Sequence, residues 1–414
     1  MLSPNAVEIL RARYLKRNKA GEVAETPEEL FRRVAAAVSA AEGRDASLWE
    51  ERFFQLMRQC VFLPNSPTLM NAGLAEGQLS ACFVLPVSDT MQSIFETLKH
   101  TALIHQSGGG TGFNFSALRP RGDRTGAGPA SASGPLAFMN VYDEATEQVK
   151  QGGRRRGANM GILNITHPDI RLFIESKSDP DSLRNFNISV GVTDAFMRAV
   201  EANAPWTLTN PRDGRKWGEV RARELWEVLC HQAWKTGDPG LLFLDTINKG
   251  NPLPGLGPLQ ATNPCGELPL FPYESCNLGS VNLSKMLKTP PDGGPVVDWD
   301  RLAEATAHAL RFLDDVITVN RFLLPEVRTI TLANRKVGLG VMGWAELLME
   351  LGIPYASKEA VELGRKVMRF IQEKSLEASQ ALAAEREVFP NWRKSRFYPD
   401  RPLRNASCNS IAPT

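Results

Sequence analysis

Apolar residues near the start of the chain recur every three to four positions. Leu30, Val34, Ala37, Val38 and Ala41 share one helical face. They follow Thr26-Pro27-Glu28-Glu29, where a threonine cap, a first-turn proline and two acids at the positive end of the dipole mark a helix start. Residues 3 to about 59 therefore read as a helical N-terminal region. Around Val61-Phe62-Leu63-Pro64 the pattern changes to short apolar runs between glycine-rich turns. Runs at 81–87, 186–192 and 241–244 are strand-like, and amphipathic helices are predicted over 91–106, 134–149, 222–235, 301–322 and 358–386. This alternation predicts an α/β protein with one extended sheet or barrel over residues 60–414. Pro290-Pro291-Asp292-Gly293-Gly294-Pro295 reads as a surface loop, and the chain shows no internal repeat or low-complexity tract.

Composition narrows the function classes. At 414 residues, 43% hydrophobic and 23% charged, the chain can bury a large core. A net charge of +2 gives no field that would gather nucleic acid or a membrane surface. No apolar run approaches the roughly 18 residues needed to span a bilayer. Arg11, Arg13, Lys16 and Arg17 are not followed by an apolar segment, so a secretory leader is not expected and a cytoplasmic location is. Six cysteines, at 60, 82, 230, 265, 276 and 408, are too dispersed for a disulfide scaffold. With five histidines and no CxxC pair, no metal site is expected. Cys60 and Cys230 follow apolar helical stretches and are predicted to be core thiols.

The most distinctive chemistry lies in Asn263-Pro264-Cys265-Gly266-Glu267, with Cys276 downstream. An amide, a thiol and a carboxylate stand at alternate positions, which share a face in an extended strand or a tight finger loop. A carboxylate there can act as a general base, and an amide can bind an oxygen without adding charge. The bland alternative is an Asn-Pro turn whose polar groups satisfy loop backbone. Gln106-Ser107-Gly108-Gly109-Gly110-Thr111-Gly112-Phe113 is expected to bare several backbone N–H groups that could cradle phosphate, although glycine clusters mostly mark turns. Lys150-Gln151-Gly152-Gly153-Arg154-Arg155-Arg156-Gly157 reads as a basic flexible loop suited to phosphates or to solvent. Gly338-Leu339-Gly340-Val341-Met342-Gly343 fits GxGxxG, but without a preceding strand it reads as glycine packing rather than a dinucleotide fingerprint.

Several of these segments together resemble ribonucleotide reductases, in particular the adenosylcobalamin-dependent (class II) branch. The resemblance rests on Thr262-Asn263-Pro264-Cys265-Gly266-Glu267, Pro272–Leu283 around Cys276, Gln78–Pro86 around Cys82, and Phe62–Gly73. It implies a ten-stranded α/β barrel with Cys265 on an internal finger loop, preceded by helices over 1–59. It implies that Cys265 carries a thiyl radical, Glu267 is the base, Asn263 binds near the departing 2′-oxygen, and Cys82 and Cys276 are the reducing pair. Substrate contacts are implied at Ser66, Thr68, Ala81, Ser107, Gly108 and Gly109, and at Pro413 and Thr414. Effector contacts are implied at Asp89, Arg119, Lys150, Gln151 and Arg155, the basic loop and its companion Arg121–Gly128 carrying effector identity to substrate choice.

The implied function is reduction of ribonucleoside diphosphates to 2′-deoxyribonucleotides with adenosylcobalamin as cofactor. Nucleoside triphosphate effectors, an external thioredoxin-like dithiol and a second copy of the chain are the implied partners. Residues 405–414 fall where the family runs on into further barrel strands, so a C-terminal part is expected beyond this sequence. With so short an N-terminus, the family's additional ATP-sensing domain is not expected. Two other classes stand beside this reading: a nucleotide-binding regulatory fragment without turnover, and a nicotinamide-dependent dehydrogenase using Gly338–Gly343.

Overall fold

The computed structural model describes residues 2–75, 77–125, 131–151, 155–291 and 293–411, with only the backbone described at 150, 151, 155 and 156. Pro413, Thr414, Gly126–Gly128 and the side chains of Lys150, Gln151 and Arg155 lie outside these described residues. In chain order the elements used below are helices α1 (Pro27–Ser39) and α2 (Ala46–Arg58), strands β1 (Phe62–Pro64) and β2 (Cys82–Val84), helix α3 (Met91–Gln106) and strand β3 (Gly110–Asn114). Next come helix α4 (Pro135–Gln148), strands β4 (Asn159–Asn164), β5 (Phe186–Val192), β6 (Gly240–Phe243) and β7 (Ser275–Asn282), helix α5 (Trp299–Val319), strand β8 (Val337–Met342) and helix α6 (Lys358–Arg386). The residues group into two compact units, 82–274 and the combination of 1–81 with 275–414.

In the second of these, α1 begins with a reciprocal capping box between Thr26 and Glu29, as the sequence pattern predicts. Trp49, Phe53, Phe62 and Phe312 meet in tilted and edge-to-face contacts at the centre of its core. Strand β1 pairs antiparallel with β7, and β7 pairs parallel with β8. Residues 407–410 then run beside β8, with Val337 N–H on Ser407 and Leu339 N–H on Cys408. Gly338 and Gly340 lie within β8, and Gly343 follows it as the N-cap of the next helix, Trp344–Leu351. A Cβ on Gly338 would collide with Leu278, and one on Gly343 with Asn282, so packing explains them.

Unit 82–274 is a five-stranded, wholly parallel sheet in the order β2-β3-β4-β5-β6. Parallel neighbours need crossovers, and α3 and α4 supply the first two. Strands of such sheets are usually apolar on both faces. Strand β3 departs from this: Thr111 and Phe113 face α3 and α4, while Gly110 and Gly112 present bare backbone on the other side. Phe113 joins Phe115, Tyr142 and Phe186 in a buried aromatic cluster.

Two expectations are corrected here. Cys230 is exposed, because the helix Ala222–Thr236 buries Leu225 and Leu229 and the next position turns about 100° away. The basic segment is not an irregular loop: Lys150–Gln151 pairs antiparallel with Arg155–Arg156.

Candidate active site

The Cys265 segment is built by a short hairpin. Ala261–Thr262 pairs with Pro269–Leu270, and the tip closes as a turn in which Gly266 N–H donates to Asn263 C=O at 3.1 Å. Proline at the second position presets φ, Cys265 takes the third, and Gly266 at φ +85° supplies the left-handed residue that returns the chain. Cys265 is therefore exposed at the tip, whereas Asn263 is 1% exposed. The spacing does not act through an extended strand. The turn instead brings Asn263 and Glu267 together beneath Cys265.

The hairpin lies across the glycine face of β3. Asn114 Nδ2 donates to Gln260 C=O at 2.8 Å, Gly112 faces Thr262, and Gly110 faces Pro264. Asn187 on β5 donates to the Pro264 carbonyl at 2.8 Å. These contacts follow the register, since Gly112 pairs with Met160 and Met160 with Asn187. Asn187 was missed in the sequence; a lone amide within the apolar run 186–192 was the available signal.

Asn263 organises the chemistry. Its Nδ2 donates to Cys82 Sγ at 3.2 Å, and its Oδ1 accepts from Leu268 N–H at 3.0 Å. It also hydrogen-bonds the Glu267 carboxyl. Burial raises the Glu267 pKa above the ordinary carboxylate value, with the Asn263 bond opposing that rise, and Oε2 is enclosed without a hydrogen-bond partner. A desolvated carboxylate with a free oxygen is suited to accepting a proton. Cys82 is 5% exposed on β2, opposite Gly110 in the sheet.

In the other unit, Cys276 on β7 is 1% exposed and its thiol lies 3.6 Å from the Lys336 carbonyl. Its own carbonyl accepts from Ala81 N–H at 3.3 Å. Ser66 is half-buried, with its hydroxyl 2.8 Å from Tyr14 Oη.

At three implied phosphate or substrate contacts the backbone donors are already engaged. Ser107 N–H is bonded to the Leu103 and Ile104 carbonyls, Gly108 N–H to His105 and Gly109 N–H to Ile104. These N–H groups close the C-terminus of α3. Thr68 is fully buried, and its hydroxyl donates to Leu79 C=O at 3.1 Å. Asp89 and Arg119 do come together, with Nε to Oδ2 at 2.7 Å. Next to them, Arg212 holds the Asp123 carboxyl far below its ordinary pKa. Among the described residues, no group of three or more His, Cys, Asp or Glu side chains could hold a metal, and no helix is long and apolar enough to cross a membrane.

The parallel-sheet unit carries a thiol–amide–carboxylate turn, and comparison with known proteins is specific. Residues 80–402 match the family model described as ribonucleotide reductase, barrel domain, and residues 1–77 match ribonucleotide reductase, all-alpha domain. The chain belongs to the ribonucleotide reductase family, as the motifs suggested. It is 53% identical to a vitamin B12-dependent ribonucleoside-diphosphate reductase of Mycobacterium tuberculosis (strain CDC 1551 / Oshkosh), covering 100% of this chain and 60% of that protein. It is 47% identical to the protein of that name from Thermoplasma acidophilum, covering 100% of this chain and 61% of that protein. A ribonucleoside-diphosphate reductase subunit alpha of Chlamydia pneumoniae is 29% identical over 94% of the chain and 40% of its own length. The chain thus spans about three-fifths of the length of these vitamin B12-dependent relatives.

Proposed function

We propose that the protein to which this chain belongs reduces ribonucleoside diphosphates to 2′-deoxyribonucleotides with adenosylcobalamin as cofactor. The observation that carries the reading is the Asn263 amide, which ties the buried Cys82 thiol and the Glu267 carboxyl beneath the exposed Cys265. The names of the relatives support the cofactor and the substrate class. In this reading residues 1–59 are a helical preface and 60–414 the catalytic part.

Adenosylcobalamin, when bound, supplies the one-electron oxidising equivalent. The exposed position of Cys265 fits delivery of that equivalent from outside the buried site, and no residue set for holding the corrin is assigned. Cys265, as thiyl, takes the substrate 3′-hydrogen. Glu267 accepts the 3′-hydroxyl proton, for which its free oxygen and raised pKa suit it. The 2′-hydroxyl then leaves as water with a proton donated from a thiol. Cys82 and Cys276 supply two electrons, forming a disulfide, and Cys265 returns the hydrogen to C3′. An external dithiol resets the pair.

Asp89, Arg119, Lys150, Gln151 and Arg155 are the proposed effector contacts, and Ser66 a substrate contact. A second copy of the chain suits the exposed apolar stripe of Met91, Phe95 and Leu103 on α3 with Val141 on α4. Thiol chemistry of this kind belongs in a reducing cytoplasm. The test is to supply adenosylcobalamin, a dithiol and a ribonucleoside diphosphate to the chain joined to its relatives' C-terminal remainder. Deoxy product is expected from the wild type and none from Cys265→Ala; product from that variant refutes the assignment.

A further inference from the structure

His105 lies between the basic hairpin and the Cys265 loop and has no role in the chemistry above. Its ring is 1% exposed at the end of α3. Nε2 lies 2.9 Å from Thr111 Oγ1, and that hydroxyl donates to Asn159 Oδ1 at 2.7 Å. A hydroxyl has one proton, so Thr111 accepts from the ring and His105 carries its proton on Nε2. This leaves Nδ1 as a buried acceptor without a partner. Asn159 Nδ2 continues the chain to Thr146 Oγ1 on α4 at 2.9 Å. Burial pushes the His105 pKa down to about 4, opposed by the Ala158 carbonyl, so the ring is neutral at physiological pH.

The glycines show how little slack surrounds it. A Cβ on Gly157, the residue after the hairpin, would stand 2.6 Å from His105 Nδ1. Thr111 N–H is bonded to the Ala158 carbonyl at 3.1 Å. On the opposite face of β3, a Cβ on Gly110 would stand 2.7 Å from the Pro264 ring. Gly157 backbone, imidazole, β3 and Cys265 turn are thus closely packed in sequence, and close-packed layers of this kind pass on displacements.

We propose that His105 is a positioning residue that passes the backbone position of the effector hairpin through Thr111 and β3 to the Asn263–Glu267 turn. It rests on the effector reading of that hairpin. The test is hydrogen–deuterium exchange of the 414-residue chain with dATP, dTTP and dGTP in separate arms, with nucleotide affinity measured by calorimetry. In the wild type, binding should slow exchange at 262–268 by about fivefold or more with at least one nucleotide. His105→Phe, which keeps ring volume and loses the bond, should bind that nucleotide within about threefold of wild type yet lose the protection at 262–268. His105→Gln, which can still donate to Thr111, should restore part of it. Unchanged protection in His105→Phe, or loss of nucleotide binding together with protection, overturns the proposal. Where His105→Phe does not fold, as judged by circular dichroism, the isosteric Thr111→Val carries the same expectation and the same refutation. If no nucleotide alters the wild type, the effector reading itself falls, and that failure is seen before any variant is made.

Discussion

An alanine at position 112 asks whether the Cys265 turn depends on bare backbone in β3. The added Cβ would overlap the Thr262 carbonyl oxygen outright and stand 2.9 Å from its carbon, where ordinary contact starts near 3.4 Å. Neither partner can rotate away, since both are backbone, so the hairpin must lift by on the order of 1 Å. Overpacking of this kind costs about 1–3 kcal/mol. A lift of that size also breaks the 3.2 Å bond from Asn263 to Cys82 and, in the complete enzyme, lowers turnover on the order of 100-fold. Gly218→Ala is the control, because nothing stands within 4 Å of its added Cβ and its φ is not left-handed. Urea unfolding gives the stability change, and peptide-resolved alkylation reports whether Cys82, 5% exposed, becomes reactive. Gly112→Ala that matches Gly218→Ala in both midpoint and Cys82 alkylation refutes the packing argument.

Other perturbations have equally definite outcomes. The Glu267 base works only when ionised, so the acid limb of the kcat profile should lie above the ordinary carboxylate range; Glu267→Gln should remove that limb and lower kcat by roughly 10²–10⁴-fold in steady-state assays. His105 has its pKa pushed from 6.5 to about 4, so the unfolded chain takes up a proton on acidification before the folded one does. Its contribution is whole above pH 6.5 and fades as pH falls toward 4, a loss of about 3 kcal/mol that urea melts across this window should show in wild type and not in His105→Phe. Asp314, fully buried, accepts from Arg335 at 2.8 Å and Asn405 at 2.9 Å; Asp314→Ala strands buried cationic charge and should cost about 3–5 kcal/mol in urea midpoint. Removing the exposed Lys374–Glu377 pair by Glu377→Ala should change stability by less than about 1 kcal/mol in the same assay. Thr26→Ala removes the side-chain half of the capping box, the acceptor for Glu29 N–H, and should cost about 1 kcal/mol in urea midpoint.

Helix extents and strand 186–192 could be read from the sequence because periodicity and capping act within four residues of one another. The spans 91–106 and 358–386 coincide with α3 and α6, and Thr26 caps α1 as its tetrapeptide requires. The residue types of the thiol loop, and with them the family, were likewise visible in order along the chain. Contacts set by residues far away in sequence were not. Only the tertiary structure shows that Cys230 faces solvent, that Thr68 is enclosed, and that the N–H groups of Ser107–Gly109 close a helix. It alone joins Asn263 to Cys82, 181 positions away, and sets His105 beneath Gly157. A side chain's own identity states what bonds it can make, whereas the strand laid beside it decides which of them it does make.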